Sequence, residues 1–295
     1  MSAKVITIGE IVWDALPKGI YLGGAPLNVA VNLSNLGIET TVVSAVGDDQ
    51  LGRLTKSYLQ RLGMSTHAIQ TNNLDTGLVE VDVDSHGIPD YYIHQPSSWD
   101  SIEFNDNVRN ELQTAAFVVT GSLVFRSETS SKTIKEWLTG RGENCKLVVD
   151  VNFRKDGYSK ELILELFELA DIIKVNDEEL LEIEEWLGWS HDYKKSLIRL
   201  TNEFNLDSIL LTRGAHGSTI YRNEVFVEKD RYIIKVKDTV GAGDAFLAGA
   251  LYGILNYESS DSIISFANAM GAFVASRNGA TPALNVEKIK SEVYQ

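Results

Sequence analysis

Short apolar runs alternate with helix-length amphipathic stretches along most of this 295-residue chain. Val5 to Ile8, Thr41 to Val46, Phe117 to Val119, Leu147 to Val149, Ile172 to Val175 and Ile209 to Leu211 are all too short for helices. Strands covered on both faces read this way, because successive side chains point to opposite sides of a sheet. Between them, Val29, Leu33 and Leu36 recur on one helical face that starts at Ala25 and stops at Gly37. Similar spacing predicts helices from Asp49 to Leu62, over Thr129–Leu138, after Gly243 and from Ser260 to Ser276. The alternation predicts an α/β fold, a central and mostly parallel sheet flanked by helices.

Two stretches depart from that rhythm. Thr76 to Asp84 alternates apolar and polar residues, Ser85-His86-Gly87 makes a turn, and Tyr91 to His94 returns. This predicts a hairpin outside the main sheet. Tyr232, Ile233, Ile234 and Val236 predict another strand, running into Asp238. Residues 1–295 are expected to form a single domain carrying a small β lid from about 10–24 and 75–98. A two-faced hairpin is marginal alone, so a homodimer through the lid is expected.

Composition narrows the partners. Lys and Arg number 27 against 41 Asp and Glu, a net charge of −14, which disfavours nucleic acid and anionic membrane surfaces. No apolar run is long enough to span a bilayer, and the first residues lead into a strand with no signal-peptide pattern. The single cysteine, Cys145, allows no intrachain disulfide. A cytoplasmic protein is the expectation.

The chemistry concentrates in Asp238-Thr239-Val240-Gly241-Ala242-Gly243-Asp244. Glycines at a helix start let an anion approach unsatisfied N–H groups, and Asp244 would place a carboxylate beside it. Such a pair suits a hydroxyl attacking a phosphate, the carboxylate taking the proton. An ordinary glycine turn before a helix would look similar on spacing alone. The seven residues together, however, resemble the C-terminal signature of the PfkB (ribokinase-like) sugar and nucleoside kinases.

The resemblance extends over nearly the whole chain, from Asp14 to Gly279. Gly23-Gly24-Ala25-Pro26-Leu27-Asn28-Val29-Ala30 is similar to the family's sugar-holding segment, which implies Asp14, Gly24 and Asn28 as sugar ligands and the lid as their cover. Asn32, one turn on, stays undecided between that role and an ordinary amide on the helix. Asp150-Val151-Asn152-Phe153-Arg154 resembles the family's Asp-x-Asn-x-Arg segment, with valine where proline is more usual. Arg154 is then a candidate for substrate or phosphate, or one half of a structural ion pair.

Asn176-Asp177-Glu178-Glu179 reads as helix capping by composition. The match to the family's Asn-x-x-Glu motif implies that Asn176 and Glu179 help hold Mg²⁺ through water. Thr212, Gly214 and Gly217 match a phosphate turn, and Asn268 an adenine-side position. Asp238 and Gly279 lie where relatives bind a monovalent cation, which extends the expected cofactors from ATP and Mg²⁺ to K⁺. Gly241, Ala242 and Gly243 are expected to offer the anion hole and Asp244 to be the base.

The implied reaction is ATP-dependent phosphorylation of a small sugar. Gly9-Glu10 to Asp14 resembles the fructokinase branch and favours D-fructose. Where many fructokinases carry an arginine near the lid return, this chain has His94, a candidate substrate contact. Ribose, 2-keto-3-deoxygluconate or a nucleoside on the same scaffold are the alternatives. A sugar sensor without chemistry is another, which the intact Gly-Ala-Gly-Asp disfavours.

Overall fold

A computed structural model describes residues 3–16, 19–83, 89–154, 157–256 and 259–293. The first half contains β1 (Lys4–Ile8), β2 (Val12–Leu16), β3 (Gly19–Gly23), α1 (Ala25–Asn35), β4 (Glu39–Gly47), α2 (Gln50–Arg61) and β5 (Ile69–Asn72). There follow β6 (Gly77–Val83), β7 (Pro89–Ile93), α3 (Asp106–Leu112), β8 (Phe117–Gly121), α4 (Glu128–Thr139) and β9 (Lys146–Asp150). Then come α5 (Lys160–Leu169), β10 (Ile172–Asn176), α6 (Asp177–Leu187), α7 (Tyr193–Phe204), β11 (Ser208–Thr212), β12 (Ser218–Arg222) and β13 (Val225–Lys229). Three helices close the chain: α8 (Ala242–Leu255), α9 (Ser260–Ala275) and α10 (Val286–Val293).

Nine strands form one sheet in the order β13-β12-β11-β10-β9-β8-β1-β4-β5. Its pairs are parallel from β11 to β5, and β12 and β13 add an antiparallel edge. The apolar runs do feed both faces. Ile6, Val118, Val149 and Ile173 join a core with α4 to α7, while their neighbours Val5, Phe117, Val148 and Ile172 join a second core with α1, α8 and α9. Each such side chain, fully buried, contributes roughly 1.5–3 kcal/mol of burial free energy.

A second, smaller sheet stands where the lid was expected. β3, β2, β6 and β7 form a separate four-stranded sheet, with β6 and β7 antiparallel. The expected turn at Ser85-His86-Gly87 lies outside the described residues, as does Pro17. One expected strand is absent: residues 230–237 are irregular, and Ile233 is 97% exposed. The segment runs past the sheet's edge strand and is tied instead to α9, Lys237 N–H donating to the Ala275 carbonyl at 2.9 Å. β-branched residues favour a strand only where a ladder partner pairs with them, and no described strand pairs with this segment.

Candidate active site

The site lies where the parallel strands end, the side of an open α/β sheet on which ligands bind. Gly241 caps α8 at φ 75° with no side-chain hydrogen bond to the first turn. Only glycine fits there, since a Cβ would lie 2.3 Å from Ala280 Cβ. Of the residues expected to form the anion hole, Ala242 has its N–H turned back to the Thr239 carbonyl at 3.2 Å. That leaves the N–H groups of Gly243 and Asp244 as the candidate donors of this helix start. Asp238 braces this turn: its Oδ1 accepts from Val240 N at 3.0 Å and its Oδ2 from Gly279 N at 3.1 Å.

Asp244 is the meeting point of the two halves of the site. Asn28 Nδ2, one turn into α1, donates to Asp244 Oδ2 at 2.8 Å. Asp244 keeps an exposed edge, yet surrounding protein pushes its pKa up to about 6. Burial is the largest cause and the Asp150 carboxylate adds to it, while the Asn28 hydrogen bond, Lys174 and Arg154 oppose it. A carboxylate raised this way is ionised at neutral pH and still basic enough to accept a proton.

On the α1 side, Gly24 takes φ 117°, and a Cβ there would meet the Glu10 carbonyl at 2.3 Å. Glu10 Oε1 accepts from Ala25 N at 3.0 Å, standing in for the missing cap of α1. Glu10 is 4% exposed, and its other oxygen has no hydrogen-bond partner among the described residues. Burial pushes its pKa up to about 7, and Asp244 adds to the rise. Asp14, on β2, is raised by burial and opposed by Arg154. Arg154, itself exposed, thus sits in the field of Glu10, Asp14 and Asp244 together. Asn32 bonds the Asn28 carbonyl at 2.9 Å and the Ala280 carbonyl at 3.4 Å, which ties α1 to the turn beside Gly241.

On the other flank, Asn176 and Glu179 form a reciprocal capping box. Asn176 Oδ1 accepts from Glu179 N, and Glu179 Oε2 accepts from Asn176 N, each at 2.8 Å. Glu179 Oε1 also accepts from Phe153 N at 3.1 Å. The Glu179 pKa is raised by burial, against the pull of Lys174. Between this helix and α8 lies a buried ion pair, Lys174 Nζ at 2.8 and 3.1 Å from the Asp150 carboxylate oxygens.

The expected nucleotide residues lie along β11 and beyond. Thr212 ends that strand, and Gly214 and Gly217 take positive φ in the turn that follows. Gly217 is forced, because a Cβ would lie 2.0 Å from the Lys229 carbonyl. Asn268 spends its amide on structure, accepting from Ser218 Oγ at 2.7 Å and donating to the Lys229 and Asp230 carbonyls at 3.4 and 3.2 Å. The His94 ring stands 3.4 Å from Glu80 Oε2 without hydrogen-bond alignment and packs edge-on to Tyr92. Arg126 is the arginine found at the lid root, buried in a two-pronged pair with Asp100 and donating to the His94 carbonyl at 2.9 Å.

Sequence reasoning gave Glu10 no role of its own and passed over Lys174. The available signal was a charge inside an apolar strand, Ile172-Ile173-Lys174-Val175, opposite Asp150 at the end of another.

The profile of the pfkB family carbohydrate kinases matches residues 19–287. The uncharacterized sugar kinase PH1459 of Pyrococcus horikoshii is 30% identical over 296 residues, 94% of this chain and 91% of that one. A fructokinase of Salmonella typhimurium is 27% identical over 306 residues, 98% of each protein. The crystal structure of PH1459 in complex with ATP superposes with a TM-score of 0.81 at 28% identity, over 94% of each chain. A fructokinase of Xylella fastidiosa with bound ATP gives 0.87 over 99% of this chain and 98% of that one, a likeness of fold at 23% identity.

Proposed function

This chain belongs to the pfkB family of carbohydrate kinases, and we propose that it moves the γ-phosphoryl group of ATP to a primary hydroxyl of a small sugar, D-fructose before other acceptors. The observation that carries the reading is the 2.8 Å hydrogen bond from Asn28 to Asp244. It joins the helix that would hold the sugar to the helix that would hold the phosphate. Asp14, Gly24 and Asn28 bind the sugar hydroxyls. Asp244 accepts the proton of the attacking hydroxyl as its oxygen bonds to the γ-phosphorus and the bond to the β-phosphate oxygen breaks. The N–H groups of Gly243 and Asp244 and the positive end of α8 face the charge that develops on the phosphoryl oxygens. Arg154 attracts the same charge.

ATP lies along Thr212, Gly214 and Gly217, with Asn268 holding the wall behind them. Both Glu179 oxygens already accept a backbone N–H, and each keeps a lone pair, which fits a hydrated Mg²⁺ better than a bare one. Asn176 and Glu179 would hold the ion through water, and bound Mg²⁺ would neutralise phosphate charge. K⁺ at Asp238 and the Gly279 carbonyl, and a homodimer through the lid, complete the proposal. Ile20 and Tyr92, which share one face of the lid sheet, are 50% and 62% exposed, as a covered face requires.

The test is ADP release from Mg·ATP over fructose, ribose, 2-keto-3-deoxygluconate and adenosine. Turnover with fructose far above the rest supports the reading. Turnover with another acceptor moves the substrate, and none with any acceptor overturns it.

A further inference from the structure

Lys174 occupies a strand position that should be apolar. On β10, Ile173 and Val175 enter one core, and Ile172 enters the other, on the α8 side. Strand alternation places Lys174 on the same side as Ile172, where it is 6% exposed. An ammonium there is costly unless paired, and Asp150, its register partner on β9 and 3% exposed, supplies the pair. Such a pair is a weak source of stability, because two apolar residues would serve the fold as well or better. Its retention therefore points to its surroundings.

Those surroundings are the open start of α8. A Cβ on Gly243 would lie 3.3 Å from Lys174 Nζ, so the ammonium stands directly against the second residue of that helix. An ammonium carries three donors, and among the described residues its hydrogen bonds go to a single carboxylate. Resting on the kinase reading above, we propose that Lys174 is a positioning residue for phosphoryl transfer, a fixed positive charge that Asp150 anchors behind the anion-facing turn of α8. The groups around Asp244 give this charge a sign that can be measured. Asp150 and Glu10 are negative, Arg154 and Lys174 positive, and Asn28 donates the hydrogen bond. Removing Lys174 should move the acid limb of the rate profile to higher pH, and removing Asp150 should move it lower.

The experiment compares Lys174→Met, Asp150→Asn and the double variant, each with thermal midpoint, KM for sugar and ATP, and kcat against pH. Lys174→Met strands a buried carboxylate and is expected to lose stability, whereas the double variant removes both charges and regains it. The double variant is expected to fold, to keep both KM values within about threefold, and to lose roughly 10–100-fold in kcat, less than or similar to the loss of an oxyanion donor. Asp150→Asn, which keeps the positive charge, should lose at least about threefold less than Lys174→Met, with its acid limb at lower pH. A double variant with the wild-type kcat overturns the inference and leaves the kinase reading standing. If the double variant fails to fold, equal kcat losses and an unmoved acid limb in the two single variants overturn it instead. No transfer by the wild-type protein overturns the kinase reading and the inference together.

Discussion

Two helices of this protein begin at the same edge of the sheet with an acid at the same position, and they end up opposite in character. In α6, Glu179 is the third residue, and it reaches back to the N–H of its own cap while Asn176 satisfies Glu179 N. In α8, Asp244 is the third residue, the cap is a glycine with no side chain to offer, and Asp244 bonds Asn28 of another helix. The first start is closed on itself. The second has no side-chain cap for its first N–H groups. A helix start becomes reactive when its own sequence withholds the cap.

The largest contrast should be in turnover. Asp244→Asn is expected to cost roughly 10²–10⁴-fold in kcat, about 3–5 kcal/mol of barrier, with substrate binding largely kept. Glu179→Gln, measured in the same assay at saturating Mg²⁺, should cost far less. Equal losses would erase the distinction between the two starts.

Closing the open start should be the next effect. Gly241→Ala forces a side chain into positive φ against Ala280, at about 1–3 kcal/mol of strain. Denaturant unfolding should show that loss together with a fall in kcat. An unchanged protein would mean the turn is not held as described.

The charges at the open start should also burden the fold. Asp244 and Glu10 have folded-state values raised to about 6 and about 7, above 3.8 and 4.5. Their contribution is therefore fully present below about pH 4 and is lost as pH rises through 6 to 7. Asp244→Asn should then raise the thermal midpoint at pH 8, a gain of about 1–3 kcal/mol that shrinks toward pH 5. A loss of stability at pH 8 would reverse the sign of the argument. The smallest effect belongs to the closed start, where Asn176→Ala should cost about 1 kcal/mol, and more Mg²⁺ should be needed for half the maximal rate.

The same contrast explains what the sequence made legible. Buried parallel strands announce themselves as apolar runs, so β1, β4, β8, β9, β10 and β11 could be read directly. Gly241 to Asp244 stood out because Asp238 to Asp244 together resemble a family signature, whereas the glycine spacing alone fits an ordinary turn before a helix. Tyr232 to Val236 could not be read, since a β-branched run does not say whether a sheet edge lies within reach. Asn176 and Glu179 carry the same letters as caps or as ion ligands, and the hydrogen bonds show the caps. Lys174 and Asp150 lie 24 residues apart and acquire meaning only when the sheet sets them side by side.

The measurement that bears most directly on Asp244 is the pH profile of kcat/KM for sugar phosphorylation by the wild-type protein. If Asp244 is the base at the open start of α8, the rate should fall about tenfold per pH unit below about 6 and level off above it. A profile that stays flat from pH 5 to 8 would contradict the account.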